Sequence, residues 1–190
     1  QQKINQIMKS VYEIETDRWN YKPDNFTKSS TGFVGLTNLG ATCYMNSVIQ
    51  QLFFFRPFRD SVLEEKFESE KEGKEAFFEF QKIFAHLLLS KKSYAETRPF
   101  CNVWIGWEKK VINVREQQDA VEFLNMFLDQ LPKNLQKYYQ GTIVNQIEGI
   151  SEEFKSNNIE TFFALSLEIQ NFTTIEESFD NFLQNELFTG

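Results

Sequence analysis

The chain has 190 residues, 41% of them hydrophobic, and a net charge of −7. That length suits one domain, or a lobe of a larger one, and can bury a sizeable core. The acidic balance argues against a nucleic-acid or anionic-membrane surface, because either needs clustered Lys and Arg. No apolar run is long enough to cross a bilayer, and the N-terminus has no signal-peptide core. Two cysteines make neither a disulfide framework nor a metal knuckle, so a reducing interior is the expected home: intracellular and cytoplasmic, with the nucleus also open. The 21 Phe, beside abundant Asn and Lys, read as compositional bias as much as core material.

Residues 1–31 read as an N-terminal helix and linker. Ile4, Ile7, Met8, Val11 and Tyr12 fall at helical spacing, and Tyr21 to Thr31 is polar and carries a proline. The sequence starts at Gln1 without an initiator Met and stops at Gly190 straight after a helix-like segment. An excised piece of something longer is expected.

From Gly32 the pattern tightens. In GFVGLTNLGATCYMNSVIQQLFFF a glycine-punctuated loop delivers Cys43 to a segment whose Met45, Val48, Ile49, Leu52 and Phe53 share one helical face. Thr42 is the expected N-cap, and Gly35 and Gly40 are expected to free the backbone of the loop. A helix start is electropositive, which favours thiolate over thiol and makes Cys43 a credible nucleophile. Asn38, five residues earlier, carries an amide able to donate to an oxygen that turns negative when a carbonyl is attacked. On these residues alone a small buried apolar side chain is the better reading of Cys43.

Arg56 and Pro57 are expected to end that helix, with Phe58 to Phe67 resuming as a short one. The charged run from Glu64 to Glu75 reads as a solvated helix end and turn. A second long helix is predicted from Glu75 to Ser90, with Ala76, Phe77, Phe80, Ile83, Phe84, Leu87 and Leu88 forming its apolar stripe. His86, the only histidine, lies beside that stripe. Next, Trp104, Ile105 and Trp107 read as packing residues around a turn at Gly106, and Cys101 as inertly buried.

A third helix is predicted from Arg115 to Leu131, apolar at Ala120, Phe123, Leu124, Phe127 and Leu128. Asn113 and Glu116 look like its capping box, and Pro132 closes it. Its apolar face should pack on the Cys43 helix, setting Gln117, Gln118 and Asp119 close to the reactive loop. Polar residues at a helix start are often merely compatible with its dipole. Beyond Leu135, Thr142 to Ile147 and Thr161 to Ile169 are predicted strands, and Thr174 with Glu177 opens a final helix.

GLTNLGATCYMNSVIQQL resembles the cysteine box of the ubiquitin-specific proteases, and REQQDAVEF at Arg115 to Phe123 resembles that family's second signature. The Gly-Ala-Thr-Cys form and the approach from Trp107 to Arg115 look most like the large fat-facets-type branch. The resemblance implies an α+β fold: the helical thumb lobe of a papain-like ubiquitin-specific protease at 32–140, then the start of β-rich fingers at 141–190. It implies Cys43 as nucleophile, Asn38 as stabiliser of the oxyanion, and Gln118 and Asp119 as contacts to ubiquitin's C-terminal tail.

The same resemblance implies ubiquitin or a ubiquitinated protein as partner and no cofactor. The family's catalytic histidine comes from a box far downstream that has no counterpart in this sequence. The chain alone is therefore expected to turn over ubiquitin conjugates negligibly, and His86 is not expected to serve. Many members bind zinc through two Cys-x-x-Cys knuckles on the fingers. Here the first is replaced by Ile147, Glu148, Gly149, Ile150 and Ser151, so zinc is not expected. A non-catalytic ubiquitin-binding or scaffold module of the same family is the alternative, and an unrelated cysteine hydrolase or plain helical scaffold the third reading.

Overall fold

The computed structural model describes residues 6, 27–28, 30–66, 73–150 and 154–187. The expected helix at residues 4–12, nearly all of the linker and the middle of the Glu64–Glu75 run lie outside the described residues. The chain divides into two units, one running to Tyr139 and the other from Gln140.

In the first unit a two-residue strand β1 (Gly35–Leu36) leads to α1 (Cys43–Phe54), α2 (Arg56–Glu64) and α3 (Lys74–Leu89). There follow β2 (Tyr94–Ala95), α4 (Arg98–Val103), a 3₁₀ turn at Trp107–Lys109, α5 (Ala120–Asp129) and α6 (Lys133–Gln136). The apolar period places α1 as predicted, burying Tyr44, Met45, Val48, Ile49, Leu52 and Phe53. It packs against α5, and the rings of Tyr44 and Phe123 meet edge to face at 5.6 Å.

Eight of the phenylalanines, Phe80 and Phe84 among them, are buried in the core, while others such as Phe33 and Phe154 are exposed. Phe80 of α3 lies 4.3 Å from Phe84, 4.7 Å from Phe127 and 6.4 Å from Phe100 between ring centroids, tying three helices together. Edge and tilted contacts of this kind add to the burial of large apolar rings.

Several boundaries differ from expectation for local reasons. α1 ends at Phe54, just ahead of Arg56 and Pro57 as expected, but Pro57 also opens α2: it sits in the first turn, where its missing N–H has no helical partner to lose. The predicted Arg115–Leu131 helix begins only at Ala120. Asn113 Oδ1 accepts the Arg115 N–H at 3.1 Å and the Glu116 N–H reaches Asn113 O at 3.0 Å, a turn that competes with helix. The cap is Asp119, whose Oδ1 accepts from Val121 N at 2.7 Å and Glu122 N at 2.9 Å. Ile105 is also more exposed than a packing residue, while Trp104 is fully buried.

In the second unit β3 (Gly141–Glu148) and β4 (Lys155–Phe162) form an antiparallel hairpin in register from Gly141 opposite Phe162 to Glu148 opposite Lys155. The predicted strand at Thr161–Ile169 is displaced, because the polar stretch KSNNIE supplies most of β4. In an exposed hairpin the backbone ladder, not an apolar alternation, selects the strand. The helix α7 (Ile175–Phe182) starts on the expected cap. Thr174 Oγ1 accepts from Glu177 N, and Glu177 returns to Thr173 rather than Thr174, which holds its carboxyl below the usual range.

Where the resemblance would put a zinc knuckle, β3 ends on Ile147 and Glu148, and Glu148 pairs with Lys155 at 2.6 Å. Gly149 and Ile150 follow. No thiolate stands among these residues, and they do not fit a zinc ion.

Candidate active site

Cys43 is the first residue of α1 and is exposed to solvent, so the reading of it as a small buried residue fails. No side chain caps the first turn of α1, so its amides are left without that partner at the electropositive end of a three-turn helix. Thr42 occupies the N-cap position but does not cap. Its hydroxyl turns back into the loop, accepting from Leu39 N at 3.0 Å and donating to Asn38 Oδ1 at 3.1 Å.

Asn38 organises that loop. Its Oδ1 also accepts from Gly40 N at 3.1 Å and Thr42 N at 3.2 Å. Two of these three donors are backbone N–H groups, which can face only an oxygen, so the orientation of the amide follows from chemistry. The Nδ2 hydrogens therefore point away from the loop.

The loop is fastened to the approach of α5. Ala41 N donates to Val114 O at 2.8 Å, and Gly40 is held at φ 136°, where an added Cβ would stand 3.1 Å from that same oxygen. Gly35, by contrast, lies in β1 without positive φ and meets only ordinary contact. Gly40→Ala is expected to destabilise the protein by about 1–3 kcal/mol through strain at this φ, seen as a lower denaturation midpoint. The matching Gly35→Ala should shift the midpoint far less.

The bond from Ala41 to Val114 and the packing of α1 on α5 bring the sequence leading to Gln118 and Asp119 alongside the Cys43 loop. Gln118 is half-buried and Asp119 exposed in the extended approach to α5, not in its first turn. Asp119 spends Oδ1 on the cap and keeps Oδ2 outside it.

Beneath the loop the environment is apolar. Burial pushes Tyr44 up to about 12, with Cys101, Glu116 and Cys43 adding to the effect. The second thiol, Cys101, is fully buried and 3.8 Å from Met45 Sδ, and burial pushes it up to about 11. His86 stands in the last turn of α3.

The sequence reading missed three residues that fix the loop from behind: Thr37, Asn46 and Thr97. Thr37 O accepts from Asn46 Nδ2 at 3.1 Å and from Thr97 Oγ1 at 2.9 Å, and Thr37 Oγ1 donates to Ala95 O at 3.1 Å. A polar Asn46 among the apolar positions of α1 was the only signal in the sequence.

An exposed thiol on the first residue of a core helix, beside a loop that turns an asparagine amide outward, is the layout of a cysteine-hydrolase lobe in an α+β protein. A family model described as "Ubiquitin carboxyl-terminal hydrolase" matches residues 34–181. The chain is 35% identical over 184 residues to human "Ubiquitin carboxyl-terminal hydrolase 24", a match covering 92% of this chain and 7% of that protein. It is 30% identical over 180 residues to human "Ubiquitin carboxyl-terminal hydrolase 34", covering 91% and 5%. It is 32% identical over 176 residues to "Ubiquitin carboxyl-terminal hydrolase 15" of Saccharomyces cerevisiae, covering 86% and 14%. The chain belongs to this family, the ubiquitin-specific proteases, and spans only a small part of the length of these relatives. Among the described residues no helix is long and apolar enough to cross a membrane.

Proposed function

We propose that the whole protein is a cysteine-type deubiquitinating enzyme that hydrolyses the bond after the C-terminal Gly of ubiquitin. The observation that carries this reading is the exposed Cys43 at the uncapped start of α1, with the Asn38 amide oriented by its own loop. Cys43 Sγ attacks the glycine carbonyl carbon, and Asn38 Nδ2 donates to the oxygen as it becomes anionic. Collapse expels the amine with a proton and leaves a thioester, which water then hydrolyses. The proton is carried by a histidine supplied from elsewhere in the whole protein.

The enzyme belongs to a reducing interior, cytoplasmic or nuclear, which suits two free cysteines. Within the family, the Gly-Ala-Thr-Cys form at Gly40 to Cys43 favours the fat-facets-type branch. The test is a ubiquitin derivative carrying a C-terminal electrophile, offered to the whole protein. Mass spectrometry should find the adduct on Cys43, and a folded protein that stays unlabelled would reject the enzyme in favour of a non-catalytic ubiquitin-binding module.

Gln118 and Asp119 line the path of the ubiquitin tail, with Asp119 Oδ2 set to pair with a tail arginine. Two substitutions separate that role from the cap. Asp119→Asn keeps an oxygen for Val121 N and Glu122 N but loses the charge, so KM should rise about tenfold or more at unchanged thermal stability. Asp119→Ala should lose the same affinity and in addition about 0.5–2 kcal/mol of stability. An unchanged KM in both would leave Asp119 as a helix cap only.

A further inference from the structure

Among the described residues Thr97 and Thr42 are the two fully buried threonines, and each occupies the N-cap position of a helix without capping it. At an N-cap a threonine oxygen normally accepts from an amide of the first turn. Thr97 precedes α4, yet its hydroxyl donates across the fold to Thr37 O at 2.9 Å, 60 residues away in sequence. Asn46, from the first turn of α1, donates to the same carbonyl at 3.1 Å. That carbonyl belongs to the peptide that enters Asn38.

The other connections of Thr37 run in the same direction. Thr37 N and Oγ1 both donate to Ala95 O, at 3.0 and 3.1 Å, and β1 runs parallel to β2 just before it. Every polar backbone atom at Thr37 is therefore held by β2, α1 or the threonine that precedes α4. From that fixed peptide the Asn38 side chain turns onto Gly40 and Thr42, and its Nδ2 faces outward.

We propose that Thr97, together with Asn46, is a positioning residue that sets the place of the Asn38 amide by clamping the Thr37 carbonyl. This rests on the reading of Asn38 as the oxyanion donor. A donor contributes fully only when it meets the oxygen at the transition state, and a shift of about 1 Å can cost on the order of 10²-fold in rate. Removing the Thr97 hydroxyl leaves Asn46 to restrain that carbonyl alone, so the amide is displaced rather than deleted.

The experiment is a double-mutant cycle on the whole protein with a ubiquitin-fluorophore substrate. Thr97→Val should lower kcat about tenfold with KM within about twofold, and Thr97→Ser, which restores the hydroxyl, should return kcat to the original value. In the Asn38→Ala background Thr97→Val should cost nothing further, because residues acting through one group do not add. Should Thr97→Val fail to fold, Asn46→Ala enters the same cycle with the same expectation.

Additive losses in the double variant, or an unchanged kcat in Thr97→Val, would overturn the clamp while leaving Asn38 as the donor. An unchanged kcat in Asn38→Ala would instead overturn the reading of Asn38, and the clamp with it.

Discussion

Alanine at position 43 is expected to lower hydrolysis of a ubiquitin-fluorophore by the whole protein to the background rate, a loss on the order of 10⁶-fold. In the proposed mechanism the thiol supplies the electron pair that forms the thioester, and alanine has none to offer in its place. The same substitution should leave folding nearly untouched, within about 0.5 kcal/mol, since the side chain is exposed. Affinity for ubiquitin should be retained, so titration with unlabelled ubiquitin separates lost chemistry from lost binding. The contrasting change is Cys101→Ala, which removes a buried sulfur from against Met45 and should cost stability while keeping the Cys43 adduct. Normal turnover by Cys43→Ala would reject the nucleophile outright.

The helices that carry the site were legible because their apolar residues repeat at helical spacing over three or more turns. α3 falls within one residue of the predicted Glu75 to Ser90, and α1 runs from Cys43 to one residue past Phe53, the last residue of its apolar face. Errors gathered where a short polar side chain competes with the helix for backbone groups. Asn113 bends the chain into a turn, and Asp119 rather than Asn113 caps α5, although Asp119 and Glu122 carry the same spacing signal. β4 lies earlier than its apolar residues suggest because an exposed ladder needs no apolar alternation to form.

The front of the candidate site could be read in the sequence and its back could not. Cys43 and Asn38 stand in one motif a few residues apart, and the glycine at position 40 marks the tight loop between them. Thr97 carried no signal in the sequence, where even the helix after it was not predicted, and only its burial and its bond to Thr37 O show that the hydroxyl serves another loop. Contacts across 60 residues leave no local pattern.

Asn38 offers the second large effect, and its two ends can be tested separately. Asn38→Ala removes both the oxygen that gathers Gly40 N, Thr42 N and Thr42 Oγ1 and the outward donor, so kcat should fall about 10²–10³-fold with some loss of stability. Asn38→Asp keeps an acceptor of the same shape for those three groups. It replaces the donor with an oxygen that repels a developing anion. Its thermal stability should stay close to the original, yet kcat should fall at least as far as in the alanine variant, with KM little changed. That pattern is the signature of a group that acts at the transition state, since uniform binding would appear in KM instead. A kcat for Asn38→Asp near the unsubstituted value would mean that the loop, and not the amide hydrogens, is what position 38 contributes.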